Sequence, residues 1–176
     1  MPTDVGFLRE LIRDVPDFPE PGITFRDITP LLADVDAFRF AVDALCDHFA
    51  GENVDRVVGI EARGFILGAA VAYRFGAGFV PVRKPGKLPW RTTGLEYALE
   101  YGTDRLEVHV DSVGPEHSVL IVDDVLATGG TAETTVRLVE GQGARVLGMA
   151  FLLELCALGG RGRLGGQDVM SLIPYS

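Results

Sequence analysis

With 176 residues, the chain can bury one well-packed core and is too short for two ordinary domains. Hydrophobic residues make up 47%, which fits a folded globular protein and excludes a disordered one. A formal net charge of −9 argues against a nucleic-acid binder, and the apolar run from Gly64 to Tyr73 stops at Arg74 after about half of a ~20-residue membrane span.

Apolar Val5, Leu8, Leu11 and Ile12 recur at helical spacing and predict a helix over about residues 3–14. Asp4, Arg9 and Glu10 sit there without an apolar signal region, so a cytoplasmic chain is expected. Pro16, Pro19, Pro21 and Gly22 then break regular structure, and Gly22 to Asp27 reads as an ordered loop or short strand. Asp34 and Asp36 start a second helix whose Phe38, Val42, Leu45 and Phe49 share a face. Cys46 lies among these residues as core filler, and Cys46 and Cys156 lie far apart and match no metal spacing. Arg56–Ile60 is a short apolar strand, Gly64–Phe75 a buried helix and Gly78–Val82 another strand. A Pro-, Gly- and Thr-rich loop is expected over about 84–96, and a half-exposed strand from Arg105 to Val110. Ser118–Val122 reads as a central strand, Thr131–Gln142 as a helix and Ala144–Leu155 as a further buried strand. Alternating strands and helices predict an α/β fold with a mainly parallel twisted sheet flanked by helices.

Two features point to an anionic ligand. The chain has 14 Arg but two Lys, and both, Lys84 and Lys87, fall in Arg83-Lys84-Pro85-Gly86-Lys87. From Ala62 to Leu95 there is no Asp or Glu, so an acidic protein holds one acid-free basic segment suited to phosphate. The second feature is Val119-Leu120-Ile121-Val122-Asp123-Asp124-Val125-Leu126-Ala127-Thr128-Gly129-Gly130-Thr131. A buried strand runs into two carboxylates, then a small-residue loop and a helix. Backbone N–H groups from Ala127, Thr128, Gly129, Gly130 and Thr131 form a nest for a phosphate monoester. Asp123 and Asp124 can accept from two ribose hydroxyls and stabilise positive charge at an anomeric carbon.

This segment resembles the PRPP-binding motif of the type I phosphoribosyltransferase family. Phe18 to Asp27, Gly59 to Phe65, Val82 to Pro89 and Leu99 to Gly102 resemble further blocks of its adenine-specific members, in order, over about residues 16–155. The resemblance implies that family's fold, as a single domain with a small hood from about residues 1–33 and a core over about 34–155. It implies transfer of the 5-phosphoribosyl group of PRPP to adenine, giving AMP and pyrophosphate, in a homodimer with Mg²⁺ carried mainly by PRPP and no protein metal cluster. Arg63 then reaches pyrophosphate, with a cis peptide at Glu61–Ala62, and Arg83, Lys84 and Lys87 neutralise it. Residues 88–101 close over the site, with Glu100 as acid/base and Tyr101 beside it. Phe25 stacks on the base while backbone near Thr24 and Arg26 reads its edge, and Asp27 is structural. Hypoxanthine, guanine or xanthine transfer stays open as an alternative, as does a non-catalytic PRPP-sensing regulator. Gly160-Arg161-Gly162-Arg163-Leu164-Gly165 matches a dinucleotide fingerprint but lacks room for the rest of that fold. His48, His109 and His117 show no metal spacing.

Overall fold

The computed structural model describes residues 5–98 and 102–176. They form two compact units, one ending at Ala44 and the other running from Leu45 to Ser176.

The first unit holds helix α1 (Val5–Glu10), strands β1 (Arg13–Pro16) and β2 (Thr24–Asp27), the short helix α2 (Thr29–Ala33) and most of α3 (Val35–His48). The expected helix over 3–14 is shorter than its periodicity. After Glu10 the chain turns, and Arg13–Pro16 pairs antiparallel with Thr24–Asp27. Cross-strand ion pairs Arg13–Asp27 and Arg26–Asp14 accompany the ladder, so long-range pairing overrides a local helical pattern. Asp27 accepts from the N–H and the hydroxyl of Thr29, each at 2.9 Å, and so organises the entry to α2. Asp34 does the same for α3 through the N–H groups of Asp36 and Ala37.

The second unit is built on a five-stranded, wholly parallel sheet of order β4-β3-β7-β8-β9, as the expected α/β class requires. Its strands are β3 (Arg56–Ile60), β4 (Gly78–Val82), β7 (Ser118–Leu126), β8 (Arg145–Leu155) and β9 (Val169–Tyr175). Helices α4 (Gly64–Phe75) and α5 (Gly130–Gly141) make the crossovers after β3 and β7. Strands β5 (Thr92–Ala98) and β6 (Thr103–His109) form a separate antiparallel hairpin. The core joins Val58, Ile60, Val119, Ile121, Met149 and Phe151 from the sheet to Leu106 and Val108 from β6 and Val136 and Val139 from α5. Cys46 is buried, as its apolar neighbours indicate.

Three expectations change here. The loop over 84–96 gives way to β5 from Thr92, because Thr92–Ala98 finds a full partner in Thr103–His109. Strand β7 does not stop at Val122; it stays paired with β8 through Asp123, Val125 and Leu126. The undiagnostic C-terminal stretch supplies β9, which covers the edge of β8. Among the described residues, no helix is long and apolar enough to cross a membrane.

Candidate active site

In an open parallel sheet, ligands bind beyond the carboxyl ends of the strands where the strand order reverses. From β3, the chain passes to β4 on one side and β7 on the other, so that point lies between β3 and β7. A cleft opens there, lined by Glu61 and by the run from Asp123 to Ala132.

The β7–α5 connection forms one wall. Gly129 caps α5 with φ 81°, a left-handed conformation that favours glycine, and the cap makes no side-chain hydrogen bond. The first N–H groups of α5 therefore point out of the helix without a side-chain acceptor, beside the Thr128 and Thr131 hydroxyls. Inside the first turns, Thr134 and Thr135 donate to the carbonyls of Gly130 and Thr131, each at 2.8 Å. Ala127, Thr128, Gly129, Gly130 and Thr131 thus come together as a cradle that suits an anion.

The carboxylates at the end of β7 differ in setting. Asp124 is 6% exposed and forms an ion pair with Arg63 Nε. Asp123 keeps part of its surface open to the cleft, and its Oδ1 accepts from the Asp124 N–H at 2.8 Å. Its carboxyl still lies deep among protein atoms. Loss of hydration first, and the neighbouring Asp124 charge second, raise it well above the usual carboxylate range. A β-carbon on Gly64 would come within 2.6 Å of Asp123 Oδ1, so glycine at the start of α4 is what lets that helix approach the acid pair.

The β3–α4 connection forms the facing wall. The Glu61–Ala62 peptide is cis, as the resemblance implies, and Arg63 precedes the first turn of α4. Glu61 accepts from Arg83 Nε and from the Lys84 N–H, each at 3.0 Å. The Arg83 guanidinium also donates to the Lys87 carbonyl at 3.2 Å and lies 5.8 Å from the Phe65 ring centroid. Arg83 therefore shapes the basic loop as well as charging it. Lys84 Nζ lies 3.0 Å from Asp104 on β6, and that hydrogen bond, then its charge, raises the lysine above its usual value. Burial alone would raise Asp104, but Lys84 and the Arg105 N–H outweigh it and hold the carboxyl below the usual range. Lys87 is exposed. So the segment without acids in sequence receives Glu61 and Asp104 in space.

Thr24, Phe25 and Arg26 lie on β2 in the first unit, where Phe18 meets Phe25 edge-on at 5.2 Å between ring centroids. Glu100 and Tyr101 lie outside the described residues. Reading the sequence missed Glu61, Asp104 and Tyr97. The Tyr97 hydroxyl donates to Asp104 at 3.3 Å and accepts from Thr131 at 3.5 Å, which links the hairpin to the cradle. Tyr97 and Asp104 face each other across the β5–β6 ladder, a pairing that the predicted loop concealed. Glu61 stands one residue before the acid-free stretch and within the quoted Gly59–Phe65 block, which was its available signal.

The family model for the phosphoribosyl transferase domain matches residues 25–162. The adenine phosphoribosyltransferase of Thermotoga neapolitana is 60% identical over 168 residues, covering 96% of this chain and 99% of that protein. This chain belongs to the adenine phosphoribosyltransferase family. A crystal structure of the adenine phosphoribosyltransferase of Thermoanaerobacter pseudethanolicus superposes with a TM-score of 0.94 at 50% identity, covering 97% of this chain and 99% of that one. The Saccharomyces cerevisiae adenine phosphoribosyltransferase, solved with D-2,5-dideoxy-2,5-imino-altritol 1,6-bisphosphate and adenine, gives 0.89 at 38% identity, with 95% and 97% covered. Membership in the adenine phosphoribosyltransferase family makes the chain a transferase, and the regulator alternative falls away.

Proposed function

We propose that the chain moves the 5-phosphoribosyl group of PRPP to adenine, forming AMP and releasing pyrophosphate in purine salvage. The observation that carries this reading is the joining of an uncapped α5 N-terminus to an acid pair at the end of β7. The cradle Ala127–Thr131 takes the 5′-phosphate through backbone N–H groups and hydroxyls. Asp123 and Asp124 accept from the ribose 2′- and 3′-hydroxyls. As the bond from C1′ to the pyrophosphate oxygen breaks and the bond to adenine N9 forms, positive charge gathers on the ribose. The two carboxylates lie where they stabilise it. Arg63, Arg83, Lys84 and Lys87 compensate the charge building on pyrophosphate. Glu100, with Tyr101 beside it, handles the proton of the purine.

Magnesium fits this donor set as a hard cation bound through one or two carboxylates and the oxygens of PRPP. Among the described residues, no group of three or more His, Cys, Asp or Glu is placed to hold a metal. Asp123 and Asp124 are the acids that would contribute, and the ion would supply charge neutralisation. In the same reading the enzyme is a cytoplasmic homodimer, the segment over about 1–33 is a hood, and the segment over 88–101, which includes strand β5, closes on the bound substrates.

Base choice rests on Thr24, Phe25 and Arg26. The β1–β2 ladder fixes the peptide groups of β2. A peptide cannot exchange its donor and acceptor, so a site that reads adenine leaves polar groups unpaired with a 6-oxopurine. A panel of adenine, hypoxanthine, guanine and xanthine with PRPP and Mg²⁺ tests this. Adenine should exceed each of the others in kcat/KM by at least about a thousandfold. Comparable values for hypoxanthine would overturn the base assignment and leave phosphoribosyl transfer standing.

A further inference from the structure

The Gly160–Gly165 stretch satisfies a dinucleotide fingerprint without the fold for it, and the mechanism above does not use it. It forms a short 3-10 turn rather than a phosphate-binding helix start. Its first residue, Gly160, is buried against the back of the β7–α5 loop and is not one of the walls of the cleft. A β-carbon on Gly160 would stand 2.1 Å from the Ala127 carbonyl oxygen, 2.8 Å from Gly129 N and 2.9 Å from the Thr128 carbonyl carbon. From the other side, a β-carbon on Gly129 would stand 2.5 Å from the Gly160 carbonyl oxygen. Two backbones are in contact with no room for a side chain on either. Neither can yield as a flexible side chain would.

The next residue fixes where this contact falls. Arg161 Nε donates to Glu154 Oε1 at 3.0 Å, Nη1 to the Val169 carbonyl at 2.7 Å and Nη2 to Ser171 Oγ at 2.7 Å. Glu154 is 7% exposed, and in the β7–β8 ladder it pairs with Leu126, the residue from which the Ala127–Thr131 loop departs. One guanidinium thus ties Gly160 to β8, to β9 and to the register position at the root of the loop.

We infer that Gly160 is a positioning residue for the 5′-phosphate of PRPP, and that the Arg161–Glu154–Ser171 clasp holds it there. The inference rests on the reading that the Ala127–Thr131 cradle takes that phosphate. The directions of the cradle's N–H groups are set by the loop's backbone, and Gly160 is the floor on which Ala127 to Gly129 lie. A methyl group at that floor displaces the loop, while the pyrophosphate side of the site stays in place.

Calorimetric titration with ribose 5-phosphate and, separately, with pyrophosphate tests this, beside a PRPP-dependent AMP assay. Gly160→Ala should weaken ribose 5-phosphate by about tenfold or more while pyrophosphate changes by less than about twofold. Gly162→Ala is the matched control, since its β-carbon meets nothing within 4 Å. It should bind both ligands as the wild type does. Arg161→Lys keeps a charge for Glu154, but one ammonium cannot reach Glu154, Val169 and Ser171 together. It should give a smaller loss of the same selectivity, and it decides the matter if Gly160→Ala does not fold. Equal weakening of both ligands, or binding like that of Gly162→Ala, overturns the inference. Absence of AMP formation by the wild-type chain overturns the reading beneath it.

Discussion

Asp123 and Asp124 are consecutive carboxylates on one strand, yet the protein treats them differently. Asp124 has Arg63 as a partner, whereas Asp123 is deep in the cleft and held above the usual carboxylate range by burial and by Asp124. A carboxyl whose folded value lies above its unfolded value stabilises the fold below the unfolded value. That contribution is lost as pH rises through the folded value. Above it, the ionised Asp123 opposes folding. Asp123→Asn should therefore raise the melting temperature at pH 8, by about 2–4 °C if the relief is about 1 kcal/mol. The gain should shrink as the pH is lowered towards 4. The same variant should weaken PRPP about 10- to 100-fold through loss of charge-assisted hydrogen bonds. Thermal melts at several pH values check the first part and initial rates the second. A lowered melting temperature at pH 8 would show that Asp123 is needed by the fold itself. The acid pair was legible in the sequence because it ends an apolar run, but the inequality of its members was not. It depends on Arg63, some sixty residues away in the chain.

At the scale of elements, β5–β6 and the basic loop act together. Lys84 is tied to Asp104, and Tyr97 connects Asp104 to Thr131. If Lys84 serves pyrophosphate, it must exchange Asp104 for the ligand. Asp104→Asn should then tighten pyrophosphate binding by about two- to fivefold, the size expected for releasing a partly exposed ion pair. Titration calorimetry at low salt reads this directly. Weaker binding would mean that Asp104 aims the lysine rather than competing for it. The limits of β3, α4 and β4 could be read from sequence because each is an apolar run bounded by charge or glycine. Strands β1 and β5 could not. Arg13–Pro16 and Thr92–Ala98 are too polar and irregular to announce a strand, and pairing across a hairpin makes them strands. The Lys84–Asp104 contact was hidden for the same reason, since it exists once β6 lies beside the loop.

Across the whole second unit, the parallel sheet depends on β9. Residues Gly148 to Glu154 of β8 are buried without interruption, and β9 covers one edge of that strand. Deleting residues 168–176 would expose a long apolar edge, a template for intermolecular pairing. The truncated chain should appear mainly in the insoluble fraction. Fractionation after expression, set against the full chain, checks it. A soluble truncation with an unchanged melting profile would show that β8 tolerates a free edge. The sheet was legible in outline because α/β alternation runs through most of the chain. Its last strand was not, since Val169–Tyr175 follows the glycine-rich turns without a helix before it. The continuation of β7 past Val122 also has a mechanical side. The strand that carries Asp123 and Asp124, the diol acceptors of the proposed function, stays in the ladder with β8 as far as Leu126, and the proposed phosphate cradle begins at the next residue, Ala127. Under the proposed function, ribose and 5′-phosphate are then gripped by one jaw, whose spacing is set by the sheet. The basic loop and the hairpin form a second jaw, built from side chains that can re-pair. Changes of sequence in the second jaw can retune grip and release without recalibrating the first.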